Sequence, residues 1–145
     1  MSAVKGFTLI ELLVVIAILG ILSTVAVTAY NGYVESSAKT AAENSLRAMS
    51  IAQQEYKSNN GNFYSTGGSG TCSPSTATTA AVIGTPNSSS APGLFGGIDN
   101  LTSQRYNFCT TGDTSNYMLV AKHKTATCQL TLNNFNILTP SNCDW

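Results

Sequence analysis

From Phe7 to Ala29 the chain is almost wholly apolar, and Glu11 is the only charge in that run. Every residue from Leu12 to Leu22 is apolar or Gly. A run of about 20 such residues is long enough to cross a bilayer as a helix. From Tyr33 to Lys57 there is no Gly or Pro, and Val34, Ala38, Ala41, Ala42, Met49, Ala52 and Tyr56 recur at helical spacing. Asn59-Asn60-Gly61 is a stop signal. Read as one helix, Phe7 to Lys57 would be roughly 75 Å long at about 1.5 Å per residue, more than twice a bilayer's hydrocarbon core. Its outer half needs a surface to cover, and the C-terminal part of the chain is the surface available.

The pattern then changes. Ser65 to Gly97 is rich in Ser, Thr, Gly and Pro, is unusually long for a connection in a compact domain, and reads as a structured functional loop or a glycan-bearing surface, with an apolar patch at Ala80-Ala81-Val82-Ile83. Three runs follow in which apolar and polar residues alternate: Arg105 to Thr110, Tyr117 to His123 and Thr127 to Leu132. The short turns between them, Thr111 to Asn116 and Lys124 to Ala126, favour an antiparallel meander. The expected fold class is α+β: a long N-terminal helix packed on a small antiparallel sheet, one sheet face on the helix and the other in water.

Composition sharpens this picture. Charged residues make up only 10% of the 145-residue chain, against about 25% in an ordinary soluble domain. Seven basic and seven acidic residues cancel, so no global field draws the chain to nucleic acid or to an anionic membrane. The four cysteines, Cys72, Cys109, Cys128 and Cys143, form no C-x-x-C pair, and His123 is the single histidine, so zinc-site spacing is absent. An even cysteine set beyond an export signal points to disulfides made in an oxidising compartment. By spacing alone their connectivity stays open among three arrangements.

Glu11 decides between three readings of the N-terminal segment. Val27-Thr28-Ala29 would suit an ordinary signal-peptide cut leaving Tyr30 first. A plain membrane anchor, with Lys5 holding the short end inside, is the second. Neither uses the carboxylate, which costs roughly 2.5–3.5 kcal/mol at a bilayer's centre, less near an end, and calls for a partner. No basic residue follows Glu11 before Lys39. A new amino group at Phe7, four residues away on the same helical face, would be near enough within the chain or across to a neighbour.

Gly6-Phe7-Thr8-Leu9-Ile10-Glu11, continued by the apolar run to Leu22 and preceded by a short leader with Lys5, closely resembles the precursor signature of type IV pilins and pseudopilins. The resemblance implies a type IV pilin fold, cleavage after Gly6 by a prepilin peptidase, N-methylation of Phe7, and pairing of Glu11 with the N-terminal amine of an adjacent subunit. It divides the chain into a leader (1–6), a transmembrane and filament-core helix (7–29), the amphipathic half of that helix (30–60) and an exported head (61–145). Within the head lie the loop (65–97), a meander at about 104–132 and a disulfide-closed tail (133–145). The implied partners are pilin subunits in a helical filament, the peptidase, the inner-membrane assembly machinery and the membrane before assembly. The implied place is the bacterial inner membrane, then the cell-surface pilus, serving adhesion, twitching motility or DNA uptake. A type II secretion pseudopilin, or a minor pilin acting as a DNA-uptake receptor, is the alternative. Many members carry Pro before an Ala-Tyr pair in this helix; here Thr28 precedes Ala29-Tyr30. Helix breaking is then left to Gly20 and Gly32, each worth about 1 kcal/mol against about 3 for Pro.

Cys128-Gln129-Leu130-Thr131-Leu132, with Cys143-Asp144-Trp145 at the end, also resembles a pilin subgroup closed by a C-terminal disulfide. That resemblance implies Cys128 with Cys143, leaving Cys72 with Cys109. No enzyme constellation, cofactor site or metal site is expected. Asp113-Thr114-Ser115-Asn116 reads as a hairpin turn rather than a calcium loop, since it has one carboxylate. Gly67-Gly68-Ser69-Gly70 reads as a flexible loop, and Asn87-Ser88-Ser89 and Asn100-Leu101-Thr102 as unmodified surface. Glu35, Lys39, Glu43 and Arg47 form a line of alternating charge that reads first as a solvated helix face. Lys122 and Lys124, with Arg105, form a small basic cluster; a solvated turn is the plainer reading, and contact with DNA phosphates the sharper one.

Overall fold

The computed structural model describes residues 6–67, 72–85, 93–101 and 105–143. Two compact units are present, Met1–Ser36 and Ser37–Trp145. Helix α1, Leu9–Asn60, contributes to both and is unbroken at Gly20 and Gly32. In the first unit two hydroxyls bond back into the helix: Ser23 Oγ donates to the Leu19 carbonyl (2.7 Å) and Thr24 Oγ1 to that of Ile21 (2.8 Å). The helix ends where expected. Gly61 takes φ +80°, which favours Gly, and its N–H closes the last turn on the Lys57 carbonyl.

In the second unit the sheet has four antiparallel strands in chain order: β1 Tyr106–Gly112, β2 Tyr117–His123, β3 Gln129–Asn133 and β4 Leu138–Ser141. Alternation puts Tyr106 and Phe108, Leu119 and Ala121, and Leu130 and Leu132 on one face, all fully buried or nearly so. Ala42, Leu46 and Met49 of α1 complete the same core, flanked by the partly buried Ala38, Ala52 and Tyr56. The expected apolar stripe is therefore the packed face, but Ser45 and Gln53 are buried in it as well.

Three boundaries need correction. The loop expected over 65–97 contains a helix, α2 Thr76–Ile83. Ser75 and Thr78 cap it reciprocally, and Val82 is buried beneath it. The meander expected to end near 132 continues, because the tail holds β4. The β1–β2 turn is also shorter than expected, since Thr111 and Gly112 stay in the ladder opposite Met118 and Tyr117.

The β1 edge is closed to a further strand and the β4 edge is blunted by a proline. At β1, Thr79 Oγ1 accepts from the Phe108 N–H (2.8 Å) and Thr66 Oγ1 accepts from the Thr110 N–H (3.0 Å). The Thr66 N–H and hydroxyl both donate to the Thr110 carbonyl at 2.9 Å. Two threonines thus take the place of a neighbouring strand. At β4 the Asn133 N–H donates to the Ile137 carbonyl, which sets the phase of the ladder. Ile137, Thr139 and Ser141 then face β3, and Pro140 turns outward a position that has no N–H.

Candidate functional site

The N-terminal site is built by the start of α1. Gly6 and Phe7 precede the helix and are exposed. Thr8 is its cap: the Glu11 N–H donates to Thr8 Oγ1 (3.3 Å), while the Thr8 N–H and hydroxyl donate to Glu11 Oε2 (3.2 and 3.1 Å). This reciprocal arrangement is a capping box. It also sets the carboxylate against the positive end of the helix dipole. The role of Thr8 is the element that residue-by-residue reading passed over, although Thr-x-x-Glu before an apolar run carries it.

Beyond Glu11 the apolar side chains have nothing to cover. Leu9, Ile10, Ile16, Ile21 and Val25 are 60–82% exposed. α1 is the one helix among the described residues that is long and apolar enough to cross a membrane. A single chain leaves this surface without cover, and lipid or other apolar helices would supply it.

The cysteines are joined as Cys72–Cys109 and Cys128–Cys143. The first ties the segment before α2 to strand β1. The second ties the end of β4 to the start of β3. Tyr106 Oη and Cys128 Sγ lie 3.3 Å apart in the core.

The basic residues gather at one end of the β1–β2 pair. The Lys124 N–H donates to the Arg105 carbonyl, and Lys122 stands opposite Asn107. Arg105, Lys122 and Lys124 are exposed on the sheet face away from α1. His123 between the lysines turns inward, and its Nδ1 accepts from the Ala126 and Thr125 N–H groups (2.9 and 3.2 Å).

The Asp113 carboxylate holds its own turn, accepting from the Ser115 and Asn116 N–H groups (2.6 and 2.7 Å). Those bonds, Asn116 first, hold its carboxyl below the usual range. Among the described residues no three His, Cys, Asp or Glu side chains come together as a metal site. The run 68–70, Asn87-Ser88-Ser89, Thr102 and the last two residues of the chain lie outside the described residues.

Comparison with known proteins bears on the same N-terminal segment. Residues 1–27 match the family model described as the prokaryotic N-terminal methylation motif. The type IV major alpha-pilin of Moraxella bovis is 52% identical over 52 residues, covering 36% of this chain and 33% of that protein. The fimbrial protein EcpC of Eikenella corrodens is 49% identical over 57 residues, covering 39% and 37%. The type IV major fimbrial protein FimA of Dichelobacter nodosus is 58% identical over 36 residues, covering 25% and 22%. The chain thus spans about a third or less of the length of the curated relatives it matches.

Proposed function

From a chain that belongs to the type IV pilin family, and is structural rather than enzymatic, we infer a subunit that polymerises into a type IV pilus. It enters the inner membrane as a precursor, is cut after Gly6 by a prepilin peptidase and is N-methylated on Phe7. The inner-membrane assembly machinery then draws it from the membrane, and the filament it forms lies outside the cell. Adhesion, twitching motility and DNA uptake are the uses such a filament serves.

The observation that carries this reading is the exposed apolar surface of α1 with one carboxylate at its start. Helices that meet lipid before assembly and one another afterwards keep this surface out of water throughout. Glu11 then finds its partner in the Phe7 amine of a neighbour, a charge-assisted contact whose value rises away from water. An ordinary signal peptide would leave Glu11 without use. In a pseudopilin the same chemistry would serve a short periplasmic filament; the tail closed by Cys128–Cys143, which resembles a pilin subgroup, favours the extracellular one.

The test is the mass of the N-terminal peptide of the mature protein from its native cell. The expected result is a start at N-methylated Phe7, lost when the peptidase is deleted. A start at Tyr30 would overturn the reading.

A second reading has one observation in its favour. Arg105, Lys122 and Lys124 share the outer face of the sheet, so a polyanion such as DNA would meet three cations together. Binding of duplex DNA at low salt, weakened by salt and abolished in a Lys122→Ala, Lys124→Ala variant, is the outcome this reading requires.

A further inference from the structure

The head unit carries an exposed apolar projection and, on a different flank of α1, a groove whose lining is about equally apolar and polar. The projection is the β3–β4 turn. Phe135 at its tip is 75% exposed and Ile137 beside it 57%. The turn is firmly held: Asn133 Oδ1 accepts from the Phe135 and Ile137 N–H groups, both at 3.0 Å. Asn136 takes φ +59°, and Asn134 Nδ2 donates to Asn116 Oδ1 (3.0 Å). A Phe fixed in water on an ordered turn loses little rotational freedom when it is buried, which suits an interface anchor.

The groove lies between the last turns of α1 and the 93–100 segment. It has a volume of about 490 Å³, with Ala52, Tyr56, Leu94, Phe95 and Ile98 supplying apolar walls. Its α1 residues and those beside the Phe135 turn, Arg47, Ile51 and Gln54, lie on the two sides of the buried stripe, about 140° apart around the helix at about 3.6 residues per turn. Charge also complements: Arg47 stands beside the turn and Glu55 lines the groove, both exposed.

We propose that the Phe135 turn of one subunit seats in the α1-to-93–100 groove of the next, with Arg47 facing Glu55 across the contact. Two different patches on different flanks make a heterologous contact. Such a contact does not make a symmetric dimer: it closes into a ring or runs on as an open helix according to the rotation between subunits, and the polymer reading takes the open form. Strand addition serves this purpose poorly, since Thr66 and Thr79 seal β1 and Pro140 removes a donor from the outer edge of β4. The inference rests on the polymer reading above, and it adds which surfaces of the head meet.

The experiment uses the full chain in its own cell. Filaments from cells carrying a photoreactive benzoyl-phenylalanine at position 135 are irradiated and digested. The expected adduct joins that residue to a peptide from 52–60 or 93–100 of a second copy. Arg47→Glu alone should lower filament yield by about tenfold or more, and Arg47→Glu with Glu55→Arg should restore it. Adducts elsewhere, or normal filament yield from Phe135→Asp, overturn the proposal. Failure of the polymer reading itself would appear earlier, as a parent chain that is processed normally but enters no filament.

Discussion

Gln53 and Tyr64 hold each other by two hydrogen bonds. Gln53 Nε2 donates to the Tyr64 carbonyl (2.9 Å) and Tyr64 N–H donates to Gln53 Oε1 (2.8 Å). The same amide nitrogen also donates to Thr110 Oγ1 (2.7 Å), so one fully buried side chain joins α1, the segment that leaves it, and β1. A side chain amide here does what a strand would do elsewhere.

Gln53→Leu keeps the volume and removes these partners. Each buried polar group left unpaired costs about 1–3 kcal/mol, so a total loss of about 3 kcal/mol is expected. Urea unfolding of the mature chain in detergent measures it, with a shifted midpoint and an unchanged slope. A loss under about 0.5 kcal/mol would mean the amide is not structurally required.

Thr8→Val should fray the first turn of α1. Loss of an N-cap hydroxyl costs about 1 kcal/mol, and Thr8→Ser should retain it. Amide hydrogen exchange at residues 9–12 in micelles is the readout. Faster exchange in Thr8→Val but not in Thr8→Ser is expected, with residues 40–55 unchanged in both. If assembly also falls in Thr8→Val alone, Thr8 positions Glu11 for its partner.

Among the described residues, Asp113 and Tyr64 give the head's stability a dependence on pH. The Asp113 carboxyl is held below its ordinary 3.8 by the Asn116 and Ser115 N–H groups. Its contribution is therefore fully present above 3.8 and is lost as pH falls through the lower folded value. Tyr64 goes the other way. Burial, and then the charge of Tyr56, raise its phenol above the ordinary 10.0. Its contribution is full below 10.0 and is lost as pH rises through the higher folded value. Asp113→Asn should remove part of the acid limb of the stability profile, and Tyr64→Phe part of the alkaline limb. The second variant also loses the bond from Tyr64 Oη to the Ala81 carbonyl (2.8 Å), so its stability near neutrality should fall as well.

The disulfides should differ in weight. Cys72 and Cys109 are 37 residues apart, and Cys128 and Cys143 are 15 apart. Chain-entropy estimates give about 4 kcal/mol for the longer loop and about 3 for the shorter. Serine pairs at each site should follow that order in thermal unfolding. Loss of Cys128–Cys143 should in addition speed proteolysis of the tail near β4.

Local features of this chain were legible because their causes are local. A run of apolar residues with one carboxylate implies a helix in lipid, whatever surrounds it. The stop at Gly61 and the alternation of β2 both follow from neighbours within a few residues. The structure decided what depends on contacts between distant segments. Helix α2 lay hidden in a Ser/Thr-rich stretch because its cap uses Thr78 in place of an acidic residue. Its value to the fold is to bring Thr79 to the edge of β1, far away in sequence. Strand β4 has no alternating burial and contains Pro140, so only pairing with β3 and the bond from Cys143 to Cys128 make it a strand. Gln53, polar on a packed helix face, is tolerable only because Tyr64 and Thr110 arrive to satisfy it. Sequence by itself determined which surfaces must leave water; tertiary structure decided which polar groups could follow them, since burial costs little only where a partner waits.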